Sequence, residues 1–450
     1  MTITPKLFAG FDPTTNQIAT VGPHLLVLAA TGTGKSRRAL VPQICLWDGP
    51  VLAVSAKSDL AEMSGAIRAH RRGPMYVMDL TGQADWSEIP PHATPVISDP
   101  CALLVPDADG NTDDSAFKLA TLLTEVGTLG MGGSSGGGGG DSAFWMTLAL
   151  RSLAALLQAG GWYRDPVTEH WVWGGGIEWV VEASSNMGPD VGPEEDVHLQ
   201  TPDWTTAGLR CATIDSFHGP ELASVKAVDP RQRDSVGINM RVALSSWHLR
   251  SVRHGRQGAE PFTPEMLEDP SATLYLISPS SGSAAGAATS VIESVVEHWK
   301  LHSIVKGLPK LSMVIDECPQ ICPIPRLGEH IGVMRGYGVH FTVAAQHSHQ
   351  FHRRWGRDGT QELRNVFPAI MVGLGAIERD ILEQAHWTMP QTERASGSMD
   401  SSGRGTISTD RVAATTPGEL LPRHMGEARL IEHGMPSRMV RLMDYTELLQ

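Results

Sequence analysis

The stretch from Leu25 to Gln43, LLVLAATGTGKSRRALVPQ, leaves a chain little choice of local fold. Four apolar residues fit a buried strand, eight small or polar residues follow, and the run after them fits a helix. Gly34, Lys35 and Ser36 fall where that helix would begin. At a helix N-terminus the free backbone N–H groups and the dipole favour an anion; a lysine there reaches the outer phosphates of a nucleotide and a hydroxyl can bind Mg²⁺. This is the pattern of a phosphate-binding loop, with Ala29 where its first glycine usually stands. A small residue serves at that position if its backbone angles are permissive, and Gly32 adds freedom inside the loop. Ala29, Thr31, Gly32, Thr33, Gly34, Lys35 and Ser36 are therefore the expected nucleotide-binding residues, and Ser36 an expected metal ligand.

The surrounding sequence supports an α/β fold. From Asn16 to Pro100, short apolar runs (HLLVLAA, PVLAVSA, PMYVMDL) alternate with helical stretches, the signature of a parallel sheet with crossover helices. The same texture returns in ATLYLIS, LSMVIDE, VHFTVAAQ and PAIMVGL, so one sheet is expected in two pieces of sequence, over 1–100 and 271–450. Between them, 101–270 reads as a mostly helical insertion, led by DSAFWMTLALRSLAALLQAGG and RQRDSVGINMRVALSSWHLR. Within it, GMGGSSGGGGGDS cannot pack a core and reads as a flexible loop. ASGSMDSSGRGTIST, at 395–409, reads as a polar loop, and GEARLIEHGMPSRMVRLMDY as a hairpin. With 41% hydrophobic and 19% charged residues, the 450-residue chain can bury a full core. A net charge of −13 excludes a protein that coats itself in nucleic acid and restricts any DNA contact to a local surface. Five cysteines form no even framework and point to reduced thiols in the cytosol, and Cys318 and Cys322 are too isolated to make a zinc site. No apolar run reaches the roughly 18 to 20 residues of a membrane span, so a membrane role would come through a partner protein.

Phosphoryl transfer also needs an acidic group at a strand end near the loop, and often a second carboxylate to position water. LSMVIDE provides both: Asp316 on the metal side and Glu317 as catalytic base. Gln346, closing VHFTVAAQ, can touch the γ-phosphate or the attacking water, or be a hydrogen bonder at a strand tip. Arg335 is either a solvated arginine or one aimed at a neighbouring subunit's nucleotide. RAHRR, at 68–72, reads as a solvated helix end. HSHQFHRRWGRDG mixes Arg353, Arg354 and Arg357 with Phe351 and Trp355, as either a loop tracking a nucleic-acid strand or a plain surface loop would.

TGTGKSRRALVPQICLWDGPVLAVSAKSDL, followed far downstream by VIDECPQICPIPRLGEHIGVMRGYGVHFTVAAQ, resembles the TraG/TraD-type coupling ATPases of conjugation and type IV secretion. The resemblance runs from about Gly22 to Arg441 and is vague within the helical insertion. It implies a RecA-like nucleotide-binding domain carrying an all-α domain, assembled as a ring of six with ATP at the subunit interfaces. It implies ATP hydrolysis that feeds single-stranded DNA and its relaxase into a secretion channel. By position, Gly34, Lys35 and Ser36 would bind phosphates and Mg²⁺, and Asp316 with Glu317 would form the second acidic motif. Gln346 would be the sensor and Arg335 the arginine acting across the interface. Family members typically begin with membrane helices, whereas about 20 residues precede the first core strand here; the expectation is a cytoplasmic protein recruited to the inner membrane by a partner. Two other readings compete: a soluble duplex-DNA pump of the FtsK/HerA kind, and a receptor in which nucleotide organises a ring without translocation.

Overall fold

The computed structural model describes residues 6–107, 109–130, 140–189, 199–376, 378–389, 391–399, 405–413 and 415–449. All but the end of the glycine-serine stretch at 131–142 lies outside them. Along the chain the strands are β1 (Leu7–Phe11), β2 (Ile18–Val21), β3 (Leu25–Leu28), β4 (Val51–Ser55), β5 (Met75–Asp79), β6 (Thr94–Ile97), β7 (Trp162–Arg164), β8 (Trp171–Trp173) and β9 (Glu260–Pro261). They continue with β10 (Thr273–Ile277), β11 (Leu311–Ile315), β12 (Val339–Ala345), β13 (Ala369–Gly373), β14 (Gln391–Met399), β15 (Gly405–Ala413), β16 (Glu427–Glu432) and β17 (Arg438–Arg441). The chain forms two compact units, one of Met1–Asp48, Lys310–Glu317 and Gly328–Gln450, the other of Gly49–Pro309 and Cys318–Leu327.

The first unit holds the phosphate-binding loop. Its strands run in the order β2-β1-β17-β16-β13-β3-β12-β11. The last four are parallel: Leu25 faces Thr342 and Leu28 faces Ala345 on one side of β3, while Leu26 faces Ile370 and Leu28 faces Val372 on the other. Every residue of β3, β11, β12 and β13 is buried. That explains their near-continuous apolar text, since parallel strands are usually covered on both faces. Of the polar side chains here, His340 Nδ1 lies 3.0 Å from the Pro23 carbonyl and Ser312 Oγ accepts from Gln43 Nε2 at 3.3 Å, while the Thr342 hydroxyl is buried without a hydrogen-bond partner among the described residues. The acidic strand β11 is not beside β3, because β12 lies between them, so the strand that leads to Gln346 is the loop's neighbour and the carboxylates reach it from one strand further. Both neighbours of β3 come from far downstream, and the crevice at their carboxyl ends is where an open α/β sheet binds ligands.

Three stretches in this unit differ from the sequence expectation or complete it. HSHQFHRRWGRDG is not a loop: His349–Val366 is helical, interrupted at Gly356 (φ 71°, ψ −177°). Gln350, Phe351, Thr360 and Leu363 form its buried side, a stripe too sparse in apolar residues to stand out in the sequence. The polar segment 395–409 is also no simple loop, for β14 and β15 pair antiparallel over their nine residues each. Their register sets Glu393 opposite Arg411 and Arg394 opposite Asp410. The hairpin about Gly434–Ser437 forms as β16 and β17.

The second unit carries a parallel sheet in the order β4-β10-β5-β6-β9. Val51 faces Thr273, and Thr273 faces Met75. Here Arg68 corrects the reading of RAHRR as a solvated end: it is 1% exposed, donating Nε to Thr273 Oγ1 at 2.9 Å and Nη2 to the Gly49 and Ala272 carbonyls at 2.9 and 3.1 Å. A guanidinium suits such a site because its fixed fork satisfies several backbone acceptors at once. Between β6 and β9 lie helices over Asp113–Gly130, Gly140–Gly160, Gly176–Ala183, Trp204–Thr213, Gly219–Lys226 and Pro230–Ala243, with the small hairpin of β7 and β8 among them. Among the described residues no helix is long and apolar enough to cross a membrane.

Candidate nucleotide site

Strand β3 delivers the chain into the loop, and two hydrogen bonds fix the exit. The Ala29 N–H donates to the Ala345 carbonyl and the Ala30 N–H to the Leu374 carbonyl, each at 3.2 Å. Gly32 and Gly34 adopt positive φ of 75° and 85°, as a loop wrapping its N–H groups inward requires. Ala29 does not, so no glycine is needed there. The structure shows instead where the missing glycine went. A Cβ added at Gly373 would lie 2.8 Å from Ala29 Cβ, and one at Gly375 would lie 2.7 Å from Ala30 Cβ. The small residues are exchanged across the two strand ends. After the loop the chain winds one π-helical turn, Ser36–Leu40, and continues as the α-helix Val41–Leu46.

Lys35 and Asp316 face each other across the loop, with Nζ 2.6 Å from Oδ1 and only 9% of either side chain exposed. Ser36 Oγ donates to the other oxygen, Asp316 Oδ2, at 3.2 Å. A hydroxyl and a carboxylate so juxtaposed fit Mg²⁺, which prefers a few oxygen ligands and keeps several waters. Glu317 follows with φ 48°, a left-handed conformation that costs a non-glycine residue about 1 kcal/mol or more. Its Oε1 accepts from Gln346 Nε2 at 3.1 Å. The structure thus brings together Ala29, Thr31, Gly32, Thr33, Gly34, Lys35, Ser36, Asp316, Glu317 and Gln346 around one crevice. It does not bring Arg335 there. Arg335 is exposed in the turn Met334–Tyr337 that precedes β12, by the opposite end of the strands, and its charge contributes to the lowered pKa of both His24 and His340.

Two further groups escaped the sequence reading. Beside Gln346 lies a cavity of about 450 Å³ lined by Ala30, Thr31, His349, Arg364 and Glu378 among others. Glu378 is 7% exposed and accepts from both the backbone N–H and the hydroxyl of Ser348 at 2.6 Å. Its only signal in the sequence is its position shortly after the apolar run of β13. On the other side of the loop, Arg37 makes a two-pronged bond to Asp444, Nε to Oδ2 at 2.9 Å and Nη2 to Oδ1 at 3.0 Å, with its guanidinium 5.0 Å from the Tyr445 ring centre. That bond holds the Asp444 carboxyl down at about 2. Arg38 adds a bond from Nη1 to the Leu442 carbonyl at 3.1 Å. The end of the chain is thereby fastened to the first turn after Ser36.

A parallel sheet with the phosphate loop at its centre, the strand ending at Gln346 beside it and an acidic pair one strand further defines a RecA-like P-loop nucleotide-binding fold. Comparison with known proteins narrows this class. Residues 310–413 match the family described as the TraM recognition site of TraD and TraG, a span that includes Asp316, Glu317, Arg335 and Gln346. The bacterial conjugative coupling protein TrwBdeltaN70, in its unbound form, aligns over 93% of this chain and 84% of its own, at 16% identity and a TM-score of 0.54. TrwB in complex with the ATP analogue ADPNP aligns over 94% and 85%, again at 16% identity and 0.54. VirB4 of Thermoanaerobacter pseudethanolicus aligns over 97% and 96%, at 13% identity and a TM-score of 0.50. No curated protein matches the sequence. The resemblance to TraG/TraD-type coupling proteins is thus borne out, by the matched segment and by the fold.

Proposed function

We propose that this protein is an ATP-hydrolysing motor of the coupling type, which delivers single-stranded DNA with its relaxase to a type IV secretion channel. The observation that carries the reading is the linked pair of contacts, Lys35 and Ser36 on Asp316 and Gln346 on Glu317. ATP and Mg²⁺ are supported as its cofactors by this donor set and by the TrwB complexes with ADPNP and with ADP and Mg²⁺.

In this reading the N–H groups from Gly32 to Ser36 cradle the β-phosphate, and Lys35 swings from Asp316 to the β- and γ-phosphates. Ser36 and Asp316 would hold Mg²⁺, which would supply neutralising charge for the phosphates. Glu317 takes the proton of the attacking water, and its left-handed backbone aims the carboxylate off the end of β11 toward that water. Gln346, bonded to Glu317 in this state, exchanges that partner for the γ-phosphate or the water and so registers turnover. Arg335 is exposed at the opposite end of the strands from its own loop, so a nucleotide served by it belongs to a neighbouring subunit. A ring of six, the family's arrangement, places arginines of this kind across interfaces.

ATPase measurements on the wild-type protein with single-stranded DNA, duplex DNA and no DNA test the reading. The expected outcome is stimulation by single strands, abolished in Lys35→Ala and reduced at least a hundredfold in Glu317→Gln. Full turnover in Glu317→Gln removes that residue as base. Stimulation by duplex alone favours the FtsK/HerA-like pump, and no response to either DNA, together with relaxase binding, favours the receptor.

A further inference from the structure

We propose that Glu378 is a positioning residue for ATP hydrolysis: through Ser348 it fastens the segment after Gln346 to the turn that also holds the phosphate loop, and so sets Gln346 against Glu317. The proposal rests on the motor reading above and assigns a regulator of the same site.

Burial is the first argument. Glu378 is 7% exposed, and a buried carboxylate is costly unless its oxygens are hydrogen-bonded. Arg364 and Arg379 line the same cavity, yet they turn to Asp380 at 3.8 Å and to Glu383 at 2.7 Å. The two oxygens of Glu378 go to one residue instead: Oε1 accepts the Ser348 backbone N–H and Oε2 the Ser348 hydroxyl, each at 2.6 Å. Short bonds to an ionised acceptor are the strong ones, and this pair fixes both the backbone and the side chain of Ser348.

The serine is the second. Ser348 stands at the N-cap of the helix His349–Val366, where a serine hydroxyl ordinarily accepts an N–H of the first turn. It makes no such bond here and donates to Glu378. The start of the helix is therefore held from outside, by a residue that follows β13, and not by its own cap. A carboxylate at a helix N-terminus also interacts favourably with the dipole, so the anchor suits its place.

Position is the third. Only His347 separates Ser348 from Gln346, and a residue spans at most roughly 3.3–3.6 Å, so Gln346 cannot shift far without pulling on Ser348. Gln346 donates its side-chain Nε2 to Glu317 Oε1 at 3.1 Å and its backbone N–H to Gln350 Oε1 at 2.9 Å. At the other end, Leu374 and Gly375 lie shortly before Glu378 in the chain. The Leu374 carbonyl accepts the Ala30 N–H at 3.2 Å, and a Cβ at Gly375 would lie 2.7 Å from Ala30 Cβ. The chain that leaves β13 thus touches the phosphate loop at one point and the neighbour of Gln346 at the next. A displacement of the loop by bound nucleotide is carried along that short stretch to Ser348, and from there to Gln346.

The test uses the full chain, steady-state ATPase rates at saturating MgATP, and titration with a fluorescent ATP analogue. Glu378→Ala should lower kcat on the order of 10- to 100-fold, the scale of a misplaced reacting geometry, while KM and the analogue's affinity stay within about twofold of wild type. Wild-type affinity also shows that the variant folds with its loop intact. Glu378→Gln keeps a carbonyl acceptor for the Ser348 N–H and should recover most of the lost kcat. In a Gln346→Ala background, Glu378→Ala should cost no more than about twofold further, since a residue that acts through Gln346 then has nothing left to position. If Glu378→Ala does not fold, Ser348→Ala, which removes one bond of the two, replaces it in the same cycle. Wild-type kcat in Glu378→Ala or in Gln346→Ala, a loss of affinity in step with kcat, or multiplicative losses in the double variant each overturn the proposal and leave the motor reading standing. Absence of ATP hydrolysis by the wild type removes the motor reading, and this proposal with it.

Discussion

The exchange of small residues between the phosphate loop and β13 makes a sharp prediction for Gly373→Ala. The new methyl would sit 2.8 Å from Ala29 Cβ, whereas its next contacts, the Leu28 carbonyl oxygen at 3.7 Å and Ala29 Cα at 3.8 Å, are ordinary. Gly373 does not have a positive φ, so backbone strain adds nothing and the whole penalty is one methyl against another. Both methyls stand on buried backbone, at the ends of strands β3 and β13 that are hydrogen-bonded in register, and neither can rotate away. Overpacking of this kind costs about 1–3 kcal/mol. Because the Ala30 N–H bonds the Leu374 carbonyl, the easiest relief is to push the loop away from β13. The penalty should therefore appear largely as weaker nucleotide binding, by roughly 5- to 150-fold at 1.4 kcal/mol per decade, measured by titration with a fluorescent ATP analogue. Ala29→Gly alone restores the familiar loop sequence yet should gain nothing, since it opens a gap opposite Gly373 and frees the backbone at a cost of about 0.5–1 kcal/mol. The double variant Ala29→Gly/Gly373→Ala should recover most of the affinity, because the methyl has only changed strands. Simple additivity of the two single variants would refute the reasoning, as contact residues must couple if the clash is real.

Arg335→Ala should abolish ATPase activity, and mixing it with Lys35→Ala subunits should restore part of it if the arginine acts across an interface; absence of rescue at every ratio argues against that role. His24 and His340 are held neutral by burial, their pKa values lowered to about 3 and about 4. Unfolded, each takes up a proton near pH 6.5 that the folded protein refuses, so their stabilisation is complete above that value and lost as pH falls, by roughly 2 kcal/mol each at pH 5. Urea unfolding at pH 7.5 and pH 5 reads this directly, and an unchanged midpoint with His340→Asn at both values would show that the histidine contributes nothing. Asp444→Asn should loosen Arg37 and weaken nucleotide binding severalfold without altering turnover at saturating ATP; equal affinity would mean that the bond is only a surface ion pair.

What the sequence disclosed and what it hid follow from burial. Asp316, Glu317 and Gln346 were legible because each stands at the end of an apolar run, where a polar side chain needs a reason, and Lys35 and Ser36 because they close the glycine-bearing loop between a strand and a helix. The order of the strands was not, since β12 intrudes between β3 and β11 through pairings made far apart in the chain. Arg68 and Glu378 were missed for the opposite reason to the strand-end groups. They are buried polar residues set in polar text, and only their partners, the carbonyls around Thr273 and the Ser348 head of a helix, show that they are inside. The helix His349–Val366 and the hairpin of β14 and β15 were read as loops because neither carries the apolar period that marks its element.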